Sequence, residues 1–230
     1  MHLTVLNRDN PQQNFPPISK ALTEPDGLLA VGGCLSAPRL LNAYRQGIFP
    51  WYNEGDPILW WSPNQRLVLF PAQLQVSRSL AKRLRQELYT ITFDKAFDRV
   101  MTSCALPRRG QQGTWIDSQM HAAYNELHRL GYAHSVEAWA GSALVGGLYG
   151  IAIGQVFFGE SMFHTQTDAS KVAFVTLVNH LKLWHYALID CQVHSQHLVS
   201  LGAQTIERCQ FAELLAAHCA NSAHLLAWRS

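Results

Sequence analysis

The stretch 144–193 constrains the fold of this chain more than any other. Residues 144–163 (LVGGLYGIAIGQVFFGESMF) are rich in Val, Ile, Tyr and Phe and interrupted by glycines, a pattern typical of two buried strands in a hairpin. Residues 168–183 follow with apolar positions around most of a helix, and Asp168 can cap it. A further apolar strand occupies residues 187–193. A strand, helix, strand unit places its two strands parallel, so the sequence predicts an α/β (α+β) fold with a mixed sheet.

The polar residues of this stretch are the first candidates for chemistry. Ligands of such folds bind near the carboxyl ends of the strands, where Glu160, Asp190 and Gln192 lie in the predicted arrangement. Carboxylates at the ends of apolar strands are costly unless they are hydrogen-bonded, and a structural role in holding a loop is the alternative to catalysis. Asp190 and Gln192 are two residues apart on one strand, so we expect them to face the same ligand.

Length and composition limit the class of protein. A chain of 230 residues with 48% hydrophobic and 15% charged residues can form one large or two small globular domains. Its longest apolar run, residues 143–154, is shorter than the roughly 20 residues that span a bilayer, and residues 1–3 do not begin a secretory signal. We therefore expect a soluble protein with no membrane partner.

The cysteines and histidines do not predict a metal site. Five cysteines, an odd number without Cys-x-x-Cys spacing, argue against a disulfide framework and a structural zinc site, which favours a reducing cytoplasm. Eleven histidines lack the short spacings of metal ligands. The glycines match neither a phosphate-binding loop nor a dinucleotide fingerprint, and no Gly-x-Ser-x-Gly sequence marks a hydrolase. We expect no cofactor.

Positive charge is concentrated in the segment 66–109. It holds nine Lys and Arg against three Asp and Glu, although the net charge of the chain is only +2. Such a segment suits contacts with nucleic-acid phosphates, and Lys82, Arg83 and Arg85 on the predicted helix 77–88 are the candidate residues for these contacts. The alternative for this helix alone is an ordinary solvated face. The composition changes near residue 110, which predicts an N-terminal domain over 1–110 and a second domain over 111–230.

Aromatic residues cluster in two places ahead of the central stretch. Trp51, Tyr52, Trp60 and Trp61 lie within one short span bounded by prolines, and they could form a stacking wall for a base or simply pack together. The glycine-bearing basic loop 107–116 contains Trp115 and is of the kind in which functional residues are common.

Eight short motifs, in order along most of the chain, resemble those of the leucyl/phenylalanyl-tRNA-protein transferases. They are GIFPW (47–51), DPILWWSP (56–63), GTWI (113–116), HSVE (134–137), LVGGLYG (144–150), GESMF (159–163), ASK (169–171) and LIDCQV (188–193). The resemblance implies a bacterial cytoplasmic enzyme that moves Leu, Phe or Met from its tRNA to the N-terminal Arg or Lys of a protein and so marks it for degradation. It also implies a small N-terminal α/β domain and a C-terminal acetyltransferase-like (GNAT-like) domain.

The same resemblance implies roles for individual residues. Trp51 and Trp115 would hold the terminal adenosine of the tRNA, with Glu160 near the donor. Leu148 and Phe157 would line the pocket for the transferred side chain; where the family can carry Met, Leu148 is a volume-conserving change.

For the acceptor, the resemblance implies that Asp190 and Gln192 bind and align the reacting amine. Tyr124, on the apolar face of the predicted helix 118–131, is also assigned to substrate binding. Whether Asp190 is a general base or only positions the amine stays open. An acyl-coenzyme A acetyltransferase and a non-catalytic RNA-binding module are the alternatives, and we expect a monomer.

Overall fold

The computed structural model describes residues 3–106, 116–221 and 225–228. Its strands are β1 (Thr4–Leu6), β2 (Leu28–Gly32), β3 (Phe49–Pro50), β4 (Leu59–Trp61), β5 (Gln65–Leu69), β6 (Thr90–Phe93), β7 (Ala133–Ala140), β8 (Ala143–Ile153), β9 (Val156–His164), β10 (Leu188–Gln192) and β11 (Gln204–Glu207). Its helices are α1 (Ala37–Arg45), α2 (Arg78–Arg85), α3 (Phe97–Ala105), α4 (Ser118–Arg129), α5 (Ala169–Leu183), α6 (Gln196–Val199) and α7 (Arg208–His218), with 3-10 turns at Ile18–Lys20, Pro71–Gln73 and Leu225–Trp228.

The strands form two sheets. The smaller has the order β1-β2-β4-β3, and the larger has the order β11-β5-β10-β9-β8-β7-β6. In the larger sheet β9 and β10 are parallel, joined by α5, and the other neighbours are antiparallel. The predicted strand, helix, strand crossover and the α/β class with a mixed sheet are therefore confirmed.

Apolar side chains cover both faces of the larger sheet. One face packs against α5, where Val172, Val175 and Val178 are buried. On the other face the apolar cluster includes buried residues of α1, α3, α4 and α7 and of the smaller sheet. The hydrogen-bonded sheet thus separates two cores, and a side chain's position along a strand decides which core it enters.

The larger sheet crosses the boundary that we predicted at residue 110. Its strands β5 and β6 precede that residue, and β5 lies between β10 and β11 from the far end of the chain. We propose instead that the division follows the change of sheet between β4 and β5, which the pairing of the strands supports.

Most glycines of the central stretch do not interrupt its strands. Gly146, Gly147 and Gly150 lie inside one continuous strand, β8. A Cβ atom at Gly150 would lie 2.6 Å from the ring of Phe157, so the absent side chain makes room for this ring. The turn itself is at Gly154, whose φ of +59° lies in the left-handed region.

Asp168 precedes α5 as predicted but does not cap it. Its backbone is left-handed, with φ of +63°, and its side chain makes no capping hydrogen bond. The carboxylate instead contacts Lys171 at 3.0 Å and Arg83 at 3.7 Å. The residue therefore links the start of α5 to α2.

Two irregularities re-aim side chains where β9 and β10 part. Parallel pairing ends at Phe158 and Asp190, although β9 continues to His164. The register between β8 and β9 shifts so that Glu160 has no partner on β8, and the register between β10 and β5 shifts so that Cys191 has none on β5. Bulges of this kind bend a strand and redirect its side chains, often beside functional sites.

Candidate active site

Glu160 lies in the bulge of β9 and is the centre of a hydrogen-bonded cluster. Tyr44 Oη of α1 donates to its Oε1 atom at 2.7 Å, and Tyr124 Oη of α4 donates to its Oε2 atom at 3.0 Å. Gln192 Nε2 donates to Oε1 at 2.8 Å, across the gap where β9 and β10 part. The two phenol oxygens also lie within hydrogen-bond distance of each other. Three elements that are far apart in sequence thus converge on one carboxyl group.

Burial dominates the electrostatics of this cluster. It raises the pKa of Glu160 to about 7, and the negative charge of Asp190 acts in the same direction. The hydrogen bonds from the two phenols and from the Gln192 amide have the opposite effect, because they stabilise the ionised carboxylate.

Burial also raises the pKa of the Tyr44 and Tyr124 phenols well above the ordinary value, and the charge of Glu160 adds to this. The phenols therefore remain neutral donors, and Glu160 is the group of this cluster that changes charge near neutral pH.

Asp190 is bound to an arginine and has no exposed surface. Arg66 donates from Nε to Oδ1 at 2.8 Å and from Nη2 to Oδ2 at 2.6 Å, and both residues are buried. The Arg66 guanidinium also lies over the rings of Phe49 and Phe211, at 4.5 and 4.8 Å from their centroids. Such a bidentate pair between aromatic faces fixes both side chains in place.

Gln192 connects the two carboxyl groups. Its backbone N–H donates to Asp190 Oδ1 at 2.9 Å, while its side chain reaches Glu160. Its φ of +61° and the bulge at Cys191 replace the regular alternation on which our prediction of a shared ligand face was based. Asp190 and Gln192 are in contact through the Gln192 backbone, but in this structure Asp190 has no surface open to a ligand.

Leu148 and Phe157 lie in the apolar core on the α5 side of the sheet. Both are buried, with 3% and 1% of their surface exposed. The phenols that bind Glu160 belong to the core on the opposite side. The predicted pocket residues and the acidic cluster thus occupy opposite faces of the sheet near the point where β9 and β10 part.

Of the aromatic residues predicted to form a stacking wall, some are buried in the core and others are at least partly exposed to solvent. Trp60 and Tyr52 are buried, and Trp60 Nε1 donates to the Gly32 carbonyl at 2.9 Å. Trp51 is 49% exposed, and its ring centroid lies 5.9 Å from that of Trp61. Trp61 Nε1 also donates to the Trp51 carbonyl at 2.6 Å. Trp115 lies outside the described residues.

The basic helix α2 presents part of its charge to solvent. Lys82 and Arg85 are exposed, whereas Arg83 is half-buried and contacts Asp168. Arg66, which contributes to the positive charge of the segment 66–109, is buried with Asp190 and is not part of this surface. In the described parts of the chain, no group of three or more His, Cys, Asp or Glu side chains could hold a metal ion. No helix there is long and apolar enough to cross a membrane.

Sequence reasoning missed Tyr44 and Arg66. Tyr44 follows the helical spacing of α1, like any core residue, and no local signal identifies its hydrogen bonds. Arg66 had a signal, because it directly precedes the apolar run 67–69 and a charged residue in a buried strand requires a partner.

The family comparison covers most of the chain. The model of the leucyl/phenylalanyl-tRNA protein transferase family matches residues 68–216, and the model of its N-terminal domain matches residues 33–64. The leucyl/phenylalanyl-tRNA-protein transferase of Methylococcus capsulatus is 56% identical over 227 residues, covering 99% of this chain and 97% of that protein. The enzyme of Pseudomonas syringae pv. syringae is 59% identical over 216 residues, covering 94% and 93% of the two chains.

Among solved structures, the likeness is more distant. FemX is 10% identical with a TM-score of 0.49, over 74% of this chain and 66% of that one. A GCN5-related N-acetyltransferase from Kribbella flavida has a TM-score of 0.37 and 10% identity, over 69% of this chain and 56% of that one.

The sequence matches identify this α/β protein as an aminoacyltransferase. The chain belongs to the leucyl/phenylalanyl-tRNA protein transferase family.

Proposed function

We propose that this enzyme transfers Leu or Phe, and also Met, from aminoacyl-tRNA to the N-terminal Arg or Lys of an acceptor protein. The proposal includes a cytoplasmic location, a monomeric enzyme and marking of the acceptor for degradation. The observation that carries it is the match to a named transferase over 99% of this chain. The motifs that imply the donor and acceptor roles all lie within the matched range.

The chemistry requires alignment and the removal of protons. An aminoacyl ester is already activated, and an amine attacks it once the amine is neutral. No covalent enzyme intermediate is needed. We propose that Trp51, with Trp115, stacks on the terminal adenosine, since Trp51 is exposed and supported by Trp61. We also propose that Leu148 and Phe157, which belong to the apolar core on the α5 side of the sheet, line the pocket for the transferred side chain.

Asp190 is best described as a positioning residue. Both of its oxygen atoms accept hydrogen bonds from Arg66, and Oδ1 also accepts from the backbone of Gln192. A fully buried carboxylate with these partners acts on the acceptor through Gln192. Gln192 in turn touches Glu160 and stands beside the gap between β9 and β10.

The test is a single-turnover reaction with leucyl-tRNA and a peptide that begins with Arg, read by mass. We expect the peptide to gain one leucyl residue without coenzyme A. The matched control is the same peptide with an acetylated N-terminus, which has no free amine and should gain nothing. Modification that requires acetyl-coenzyme A, or tRNA binding without any transfer, would overturn the proposal.

The basic helix is assigned to the tRNA. Lys82 and Arg85 project into solvent from α2, and Arg83 lies between them. Charge on an exposed helix face supports phosphate contacts, which supply sequence-independent affinity for nucleic acid.

A further inference from the structure

The cluster around Glu160 contains a closed triangle of contacts. Tyr44 Oη contacts Tyr124 Oη and Glu160 Oε1, while Tyr124 Oη also contacts Glu160 Oε2. Three oxygen-to-oxygen contacts thus join two phenol groups and one carboxyl group. Each contact, to be a hydrogen bond, needs one proton between its two oxygens.

The number of protons decides the state of this triangle. Two neutral phenols supply two protons, and an ionised carboxylate supplies none. With Glu160 ionised, each phenol donates to one carboxylate oxygen, and the contact between Tyr44 and Tyr124 joins two oxygens without a proton. With Glu160 protonated on Oε2, that group donates to Tyr124, Tyr124 donates to Tyr44, and Tyr44 donates to Oε1. All three contacts are then hydrogen bonds.

We propose that Tyr44, Tyr124 and Glu160 form a ring of three hydrogen bonds that holds one carboxyl proton, and that this ring takes up the proton that the acceptor amine must lose. The uptake of the amine proton by this ring rests on the proposed function. Tyr44 and Tyr124 are positioning residues, and Glu160 is the proton acceptor.

The proton balance of the transfer fits this role. An N-terminal ammonium group loses two protons when it becomes an amide N–H. One N–H bond breaks as an O–H bond forms on Glu160, and the neutral amine then attacks the ester carbonyl. As the ester C–O bond breaks, the second proton passes to the ribose oxygen, and Glu160 later returns its proton to water.

The surroundings of Glu160 include several other ionisable groups. Tyr149 of β8 and Asp190 of β10 face it, and Arg66 of β5 neutralises Asp190. Behind Tyr124, Tyr52 Oη contacts the Asp117 carboxylate at 3.4 Å. Burial raises the pKa of Glu160 to about 7, which agrees with a group that changes charge near neutral pH.

The ring can be tested without any substrate. Infrared difference spectra between the wild-type protein and Glu160→Gln, recorded over a range of pH, isolate the carbonyl band of the protonated Glu160. We expect this band at low pH and its loss with a midpoint of about 7. A protein that shows no such band on the acid side of neutral pH would overturn the ring.

A pair of tyrosine variants separates the ring from general burial. Tyr44→Phe with Tyr124→Phe removes both phenol donors to the ionised carboxylate and leaves only the Gln192 amide, so the midpoint should rise by about one pH unit or more. Tyr149→Phe is the matched control, because among the described residues the buried Tyr149 Oη makes no hydrogen bond. Its midpoint should stay at the wild-type value.

An unchanged midpoint in the double variant would overturn the ring, and if that variant does not fold, the wild-type titration alone decides. The role in transfer has its own measurement, the pH profile of single-turnover transfer. Its inflection should follow the infrared midpoint in wild type and in Tyr149→Phe. A ring that titrates without moving the transfer profile would refute the proton-acceptor role while leaving the transferase function intact.

Discussion

Arg66 and Asp190 are 124 residues apart in sequence and form a bidentate ion pair in which neither side chain is accessible to solvent. The pair joins β5 to β10, the neighbouring strand in the larger sheet. It also holds the backbone of Gln192, which carries the amide that reaches Glu160. The buried Arg66–Asp190 pair therefore helps to hold Gln192 in the position from which its amide contacts Glu160.

Breaking this ion pair should destabilise the fold more than removing it altogether. We expect Asp190→Leu and Arg66→Met each to lower the free energy of unfolding by about 3–5 kcal/mol, because each leaves an uncompensated buried charge. The double variant Arg66→Met with Asp190→Leu should lose less than the sum of the single effects. Urea unfolding of the four proteins measures this coupling, and additive losses would contradict it.

Glu160 should make stability depend on pH in an unusual direction for a carboxyl group. Its pKa is raised from 4.5 to about 7 in the folded protein, so between these values the folded state binds more protons than the unfolded state. The free energy of unfolding should therefore fall as pH rises through this window, by about 1–3 kcal/mol for a partly exposed group. Chemical denaturation of wild type and Glu160→Gln across the window tests it, since the variant should lack this contribution.

The predicted side-chain pocket should respond to truncation at Leu148. We expect Leu148→Ala to slow the transfer of Phe and Leu, because the loss of one apolar contact costs about 1–3 kcal/mol of transition-state binding. The affinity for tRNA should change little. Leu148→Met is the matched control, because it conserves volume. Competition between charged tRNAs, together with equilibrium tRNA binding, measures both effects. An equal loss of tRNA binding would argue against the assignment.

Charge removal from α2 should weaken tRNA binding and its dependence on salt. Replacing Lys82, Arg83 and Arg85 with Ala should lower the slope of log affinity against log salt by about one for each phosphate that the variant no longer neutralises. The control removes three exposed charges elsewhere, with Arg8, Lys20 and Arg129 changed to Ala. The measurement is tRNA binding over a series of salt concentrations. Identical slopes for the two variants would show that α2 is an ordinary solvated helix face and not a tRNA contact.

Trp51 should contribute to donor binding but little to stability. A ring that is 49% exposed has little packing to lose, whereas base stacking on an aromatic side chain contributes about 1–3 kcal/mol. Trp51→Ala should weaken binding of aminoacyl-tRNA by this amount, and Trp51→Phe should retain most of the affinity. Fluorescence titration measures the binding of aminoacyl-tRNA, and thermal unfolding of the same variants measures their stability. Strong destabilisation by Trp51→Ala would show that the ring is a packing residue.

The sequence predicted those parts of the fold that depend on local pattern. The apolar run of 144–163, the helix after Asp168 and the strand 187–193 are local signals, and each appears as an element near its predicted position. The boundary at residue 110 depended on composition. It did not anticipate that β5 pairs with β10 and β11, because this pairing involves residues more than a hundred positions apart.

The site was predictable in its residue types but not in its connections. Glu160, Asp190 and Gln192 stand out as polar residues in apolar strands, and the structure brings them together. The bulge at Glu160 and the left-handed backbone of Gln192 have no signature in a pattern of alternating residues. Tyr44 joins the cluster only because α1 packs against α4, which no local pattern predicts.

The position of β5 has a consequence for how the enzyme is made. A ribosome produces β5 early, yet the two strands that flank it, β10 and β11, emerge only when translation has passed residues 188–207. Until then β5 lacks both strands that flank it in the folded sheet, and Arg66 lacks Asp190, the carboxylate with which it pairs. Completion of the hydrogen-bonded cluster around Glu160 therefore waits for the synthesis of β10, because a product that stops before residue 188 lacks both Asp190 and Gln192.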